Sequence, residues 1–462
     1  MSNFWDFSVW AWISLMAVVF GGLLLGNVLK KTIPFFRYSL IPTSVLGGII
    51  LLLFAGLYRL ITGDFFFETA IFNHSGSEKL EIITYHTLAL GFIASAFKTN
   101  GGKLNKKRTA EIFNTGVTTV ATYLIQAIFG LGITLIIALI LTDFFPAAGV
   151  LLPFGYGQGT GQAMNYGNIY EIEHGFDGGK SFGLAIAALG FLSAAIGGVI
   201  HLNIMKRRGK LKLSTRQDGS LYTESVDAND EIPLQESIDK MTVQIALIIV
   251  AYFVAYLLMF FLGNLLPGMR SVIYGFNFLL GVLSATLIKS LLNVLRKKNI
   301  IQKKYTNNFL MTRASNFFFD IMVVAGIAVI RLDILKDYWG VLLILGVIGA
   351  IITYAYNRIV AKTLFGDYME EQFLAMYGML TGTASTGIIL LREIDGDFRT
   401  PASDNLVYQN FPAIAFGFPM MFLATLAPVK PILTMIIFVV FFTVMNIILF
   451  REQIFRKRRK KQ

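Results

Sequence analysis

The chain is a succession of apolar runs, each about as long as a helix needs to cross the roughly 30 Å hydrocarbon layer of a bilayer. FVAYLLMFFLGNLL and ILTMIIFVVFFTVMNIILF are two of them. Charged residues make up 15% of the chain and hydrophobic ones 55%, whereas a soluble domain carries about a quarter charged residues. In lipid, every backbone N–H and C=O must be satisfied within the fold, which long apolar runs achieve as helices. An all-α polytopic membrane protein is expected.

Hydropathy places spans in the first half at about Ser8–Leu29, Leu40–Leu60, Ile83–Phe97, Thr109–Leu141 and Ser181–Met205. The second half has Met241–Leu265, Ser271–Leu292, Ala314–Ile330, Tyr338–Ile359 and Asn405–Leu426, followed by an extra span, Ile432–Phe450. Ile83–Phe97 is short and mixed, as a tilted or interrupted helix would be. The N-terminus, MSNFWDFSVWAW, has no basic leader region and reads as the start of a first span rather than a signal peptide.

Two segments fit no span. Pro146–Tyr170 and Gln372–Leu391 each have a short apolar half, a run of Gly, Thr, Ser or Gln, and a second short half. They read as re-entrant hairpins that enter and leave on one side. Charge gives an independent argument. With the N-terminus outside, the inner loops are Lys30–Arg37, Lys98–Arg108, Lys206–Lys240, Arg296–Arg313, Arg358–Gln372, Arg392–Arg399 and the C-terminal tail. Of the 40 Lys and Arg, only Arg59, Lys79, Lys180, Arg270, Arg331, Lys336 and Lys430 fall outside. That bias obeys the positive-inside rule, and counting either hairpin as a full crossing reverses it downstream.

The same path gives five spans with a hairpin between the fourth and fifth, twice over and in opposite orientation. The expected organisation is therefore a first inverted repeat (1–205, hairpin about 146–170), a cytoplasmic linker (206–240), a second inverted repeat (241–427, hairpin about 372–391), and an extra helix with a basic cytoplasmic tail (428–462). Inverted repeats recur among secondary transporters. The acidic end of the linker, DANDE (Asp227–Glu231), reads as solvated surface.

Composition excludes other classes. There are no cysteines, and His74, His86, His174 and His201 are scattered, which leaves no thiolate or zinc-type metal site and no nucleophile–base pair for an enzyme. The net charge of +12 sits in loops and tail, with no motif for nucleic acid. A channel would show a repeated pore loop or rings of like charge; two unlike hairpins suit alternating access. No cofactor is implied.

Unwound backbone at membrane depth must line a cavity or be buried in protein. Its helix N-termini offer N–H groups to anions and its broken ends offer carbonyls to cations. The first tip runs from Gly155 to Gln162, with Gly157, Gln158, Gly159, Thr160 and Gln162 as candidate substrate ligands; its glycines alternatively serve helix packing. The second tip, Thr381 to Gly387, offers Thr381, Gly382, Thr383, Ser385 and Thr386; its hydroxyls alternatively bond back to their own helix. Asp320 is an intramembrane carboxylate and hence a candidate for sodium or a proton, or for a substrate ammonium. Asn165 and Thr381 are further candidate sodium ligands. Asn165, Gln126, Gln409 and Asn410 (the last two beside a Pro412 kink) also read as helix-to-helix hydrogen bonds, and His86 as structural. Arg392 and Arg399 follow the second hairpin, and Arg392 is a candidate gate or vestibule charge.

At the tips the chain resembles the glutamate:sodium symporter family, the sodium-driven bacterial glutamate carriers. Gly157-Gln158-Gly159-Thr160 and Tyr166-Gly167 match that family's glycine-rich hairpin, with Gln158 in place of a histidine. The stretch from Gly175 to Ile200 is similar to its next span. GMLTGTASTGIILL takes the place of its second hairpin but lacks that hairpin's proline, and Asp320 falls where the family also has an aspartate. These departures bear on the substrate rather than the mechanism. The resemblance implies a homodimer in the bacterial cytoplasmic (inner) membrane, with a scaffold domain and a moving transport domain that holds both hairpins. It implies sodium-coupled symport of an acidic amino acid, foremost glutamate, by elevator-type alternating access. On the residues alone, a hydroxycarboxylate and proton coupling stay open.

Overall fold

The structure, a computed structural model, describes residues 3–38, 41–98, 106–141, 143–208, 231, 238–267, 270–275, 277–395 and 399–454. The side chains of residues 37, 38, 271, 272, 334, 385, 407 and 411 lie outside that description. In chain order the helices are α1 (Phe7–Thr32), α2 (Pro34–Tyr38), α3 (Thr43–Thr62), α4 (Gly76–Phe97), α5 (Lys106–Ile140), α6 (Leu151–Gln158), α7 (Thr160–His174), α8 (Gly179–Arg207) and α9 (Lys240–Leu265). They continue as α10 (Arg270–Gly275), α11 (Asn277–Lys297), α12 (Asn308–Ala328), α13 (Trp339–Leu364), α14 (Met369–Thr381), α15 (Ala384–Arg392), α16 (Ala402–Tyr408), α17 (Asn410–Leu426) and α18 (Pro431–Leu449).

Ten of these helices are long and apolar enough to cross a membrane: α1, α3, α4, α5, α8, α9, α11, α12, α13 and α18. The shorter apolar stretch Pro412–Leu426 lies in the tenth expected span. Two local expectations change. α4 is one unbroken helix of 22 residues. The Asn405–Leu426 run is divided at Gln409, and Pro412 sits in the first turn of α17, where its missing N–H costs no helical bond. The proline inside that helix is Pro419.

The chain forms two compact units, each drawing on both halves of the sequence. The first is Met1–Met16, Phe67–Lys103 and Gln217–Ala325; the second is Ala17–Phe66, Leu104–Arg216 and Gly326–Gln462. In the first unit, α4, α9, α11 and α12 enclose a core that includes Ile93, Phe97, Ile248, Ala285, Met311 and Phe318. Glu231 corrects the reading of the linker's acidic end as solvated. It is buried, bonded to Lys240 at 3.0 Å, Lys304 at 3.2 Å and Asn307 at 2.6 Å. Burial alone would raise its pKa, but these three donors together hold it below the usual carboxylate value. Asp227 to Asp230 lie outside the described residues.

The second unit is organised around α5, whose 35 residues pack against α13, α17 and α18 and against the short helices α6, α14 and α16. α18 buries Thr434, Phe438, Met445 and Leu449, a stripe at helical spacing. It exposes Ile432, Ile436, Val440 and Ile447, as a helix facing lipid does. Tyr356 Oη donates to Asn446 Oδ1 at 2.9 Å and Arg451 Nη1 to Asn114 Oδ1 at 3.0 Å, which ties this last helix to α13 and α5.

Candidate functional site

Both tip segments are broken helices. α6 stops at Gln158 and α7 starts at Thr160, joined by Gly159 at φ 82°, ψ −172°. That conformation is open essentially to glycine alone. The chain then folds back: Phe154, on α6, stacks on Tyr166, on α7, with centroids 3.9 Å apart. α14 stops at Thr381 and α15 starts at Ala384, joined by Gly382 at φ −149°, ψ −104° and an extended Thr383. Here too the chain folds back, since a Cβ on Gly387 would lie 2.4 Å from the Ala375 carbonyl. With 8 residues in α6, 13 in α14 and 9 in α15, these pieces are about 12–20 Å long at 1.5 Å per residue, too short to span a bilayer.

α5 and α8 bring the two breaks together. Tyr123 Oη, on α5, donates to the Gly157 carbonyl at 3.1 Å. Its ring lies so close that a Cβ on Gly157 would be 2.1 Å from it. Three residues on, Gln126 Nε2 donates to the Leu380 carbonyl at 2.9 Å. Neighbouring positions on one helix face therefore cap the open C-terminal end of each first half-helix. On α8, a Cβ at Gly190 would lie 2.5 Å from the Thr381 carbonyl and 3.1 Å from Tyr156, so α8 abuts both pairs as well. Tyr156 Oη and Tyr377 Oη both reach Ser193, at its hydroxyl (2.8 Å) and its carbonyl (2.9 Å). On the far side, Tyr166 and Tyr170 donate to the carbonyls of Met421 and Ala424 at 3.0 and 2.7 Å, fixing α7 to α17.

The first-tip residues lie together at the first break. Gly157, Gly159, Thr160, Gln162 and Asn165 are buried and Gln158 is half-buried. Glycine serves two purposes here, close packing at Gly157 and backbone conformation at Gly159. Gln162 stands apart: it is 1% exposed, and among the described residues neither its amide nitrogen nor its amide oxygen has a hydrogen-bond partner. An amide so placed has both a donor and an acceptor in want of a ligand. At the second tip, Thr381 and Thr386 are buried, Gly382 is buried and Thr383 is half-buried; the side chain of Ser385 lies outside the described residues. The Thr381 hydroxyl donates to the Tyr377 carbonyl at 2.6 Å, back along its own helix, so only its lone pairs face other groups. Thr383 and Thr386 hydroxyls meet at 3.3 Å.

Asp320 belongs to the first unit, on an exposed stripe of α12 with Asn316 one turn before it. Gln409 makes the helix-to-helix bond expected of it, accepting from Thr119 at 2.8 Å, and donates to Asn410 at 2.9 Å. His86 faces Tyr252 Oη at 2.7 Å. Arg392 ends α15, and the backbone N–H of Arg399 donates to Asp395 at 2.8 Å. His201, expected only as scattered, joins a charged cluster at the start of α14. Glu370 is bonded there by His201 Nε2 at 2.9 Å and by both Nη atoms of Arg358. Burial works against ionising Glu370, yet these donors pull its pKa down to about 2.

What the tips alone did not reveal is the role of α5. Thr115, Thr118, Thr119, Thr122 and Gln126 form a buried polar stripe at spacings of three and four in an apolar span. That spacing is the signal that could have marked the helix as the bracket of the site.

The sodium/glutamate symporter family profile matches residues 8–398, most of the chain's length. The chain belongs to the sodium/glutamate symporter family. It is a multi-pass membrane transporter rather than an enzyme, in a family whose substrates are glutamate and sodium. The match takes in both broken-helix pairs and ends before α16, α17 and α18. Among curated proteins no match was found.

Proposed function

We propose that this symporter carries glutamate inward, coupled to sodium, with the substrate held between the two helix breaks. The carrying observation is Gln162, buried at the first break with both amide atoms unpartnered. An amino-acid substrate presents both a carboxylate and an ammonium, and one amide can donate to the first and accept from the second. The N-terminal turns of α7 and α15 supply N–H groups for carboxylates, and Thr160, Thr383, Ser385 and Thr386 add hydroxyls. Gly157, Gln158, Gly159 and Gly382 let the backbone approach the ligand. Thr381 and Asn165 are proposed sodium ligands in the second unit; Asp320, in the first, is a separate candidate for the coupling cation.

In this reading the broken-helix pairs are re-entrant hairpins of two inverted repeats. Their common membership in one compact unit supports a transport domain that moves as an elevator, within a homodimer. The charge bias supports an N-terminus outside and a C-terminus in the cytoplasm of a bacterial inner membrane. Coupling requires that sodium favour the substrate-competent state, a difference in affinity between two conformations. The test is radiolabelled glutamate uptake into proteoliposomes with and without an inward sodium gradient. Saturable, sodium-driven uptake is expected. Uptake indifferent to sodium would overturn the coupling, and no uptake by folded protein would overturn the substrate.

A further inference from the structure

A second set of unsatisfied atoms lies beneath the Leu380–Gly382 break, and all of them are acceptors. Gln126 and Asn357 are 0% and 2% exposed, and each has an amide oxygen with no hydrogen-bond partner among the described residues. The orientation of both amides is forced. Gln126 Nε2 donates to the Leu380 carbonyl and, at 2.8 Å, to Thr353 Oγ1; Asn357 Nδ2 donates to the Thr353 carbonyl at 2.9 Å and approaches Thr122 Oγ1 at 3.4 Å. A carbonyl accepts only from nitrogen here, so neither amide can be turned over without losing its bond. Thr353 touches both amides, and α5 and α13 hold them side by side. The hydroxyl proton of Thr122 is already committed to the Thr118 carbonyl at 2.8 Å. The neighbourhood is thus rich in lone pairs, with the Thr353 hydroxyl, which accepts from Gln126, holding the one proton not yet committed.

We propose that this cluster of neutral oxygens, Gln126 Oε1 and Asn357 Oδ1 with the hydroxyl oxygens of Thr122 and Thr353, holds a sodium ion beneath the second break. Two amide oxygens and two hydroxyl oxygens are the hard, neutral donor set that suits an alkali cation. The position gives the ion a mechanical role. The amide that would ligate it through oxygen holds the Leu380 carbonyl through nitrogen, so occupancy fixes Gln126 and, through it, the backbone that enters the Thr381–Gly382 tip. This inference rests on the sodium-coupled reading above and locates one ion of that coupling away from the tip hydroxyls.

The experiment is thermal unfolding of the purified full chain without glutamate, titrated with sodium chloride at constant ionic strength against choline chloride. Wild type is expected to show a saturable rise in transition temperature with sodium. Gln126→Leu and Asn357→Leu are expected to move the sodium midpoint up at least tenfold. Should Asn357→Leu fail to fold, Asn357→Asp decides, since its added charge on the same shape is expected to move the midpoint down. A wild-type sodium response with unchanged midpoints in these variants would overturn the site while leaving sodium coupling intact. No sodium response in wild type would overturn both.

Discussion

Replacing Gln162 by Leu should push stability and affinity in opposite directions. The side chain is buried and leaves an NH2 group and a carbonyl oxygen without partners, and a buried polar group left unmade costs about 1–3 kcal/mol. Leucine is near glutamine in volume and removes that cost, so the ligand-free protein should unfold at a higher temperature. A hydrogen bond to a charged group contributes about 1.5–3 kcal/mol. At about 1.4 kcal/mol per tenfold, losing one such bond to glutamate should weaken binding by about 10- to 150-fold. The assay is paired: a thermal transition without substrate, and glutamate binding to the same preparation at saturating sodium. A lower transition temperature with unchanged glutamate affinity would refute the reasoning, because it would mean that Gln162 packs the fold and meets no ligand.

Gly159→Ala places a Cβ at φ 82°, ψ −172°, a strain of about 1–3 kcal/mol; it should lower the transition temperature and cut uptake, and wild-type values in both would show that the break relaxes freely. Asp320→Asn should blunt the sodium dependence of glutamate uptake measured in proteoliposomes, and a normal sodium curve would leave Asp320 with a structural role only. Glu370 has a folded pKa of about 2 against an ordinary 4.5. Its contribution to stability is therefore complete above about pH 4.5 and is lost as pH falls from there towards 2. Acid-unfolding curves should show that loss in wild type and a flatter profile in Glu370→Gln; superimposable profiles would contradict the pairing with His201 and Arg358.

Helix identity and the location of the breaks were legible from local pattern. An apolar run of about 20 residues has one way to satisfy its backbone in lipid, which is why α1, α3, α5, α8, α9, α13 and α18 stand where hydropathy put them. Gly159 and the Thr381–Thr383 segment interrupt apolar sequence with residues that favour a break, and the breaks are there. Of the two readings of Ile83–Phe97, the interrupted one fails: its polar residues thin the hydropathy signal, yet Thr84 and Thr87 return their hydroxyls to their own helix at 2.8 and 2.6 Å, and α4 runs on unbroken. Glu231 misled for the complementary reason: DANDE reads as solvated in isolation, and only the arrival of Lys240, Lys304 and Asn307 makes its burial tolerable.

By itself, then, the sequence determined the membrane setting, the helices and the two points where helices had to break, since each depends on neighbours along the chain. The tertiary structure alone decided which polar groups are satisfied. Gln126 and Gln162 are both amides in apolar surroundings, yet one caps Leu380 through nitrogen while the other meets nothing on either atom. That difference depends on what α5, α8, α13 and α14 bring to within 3 Å from more than a hundred residues away, and no local pattern encodes it.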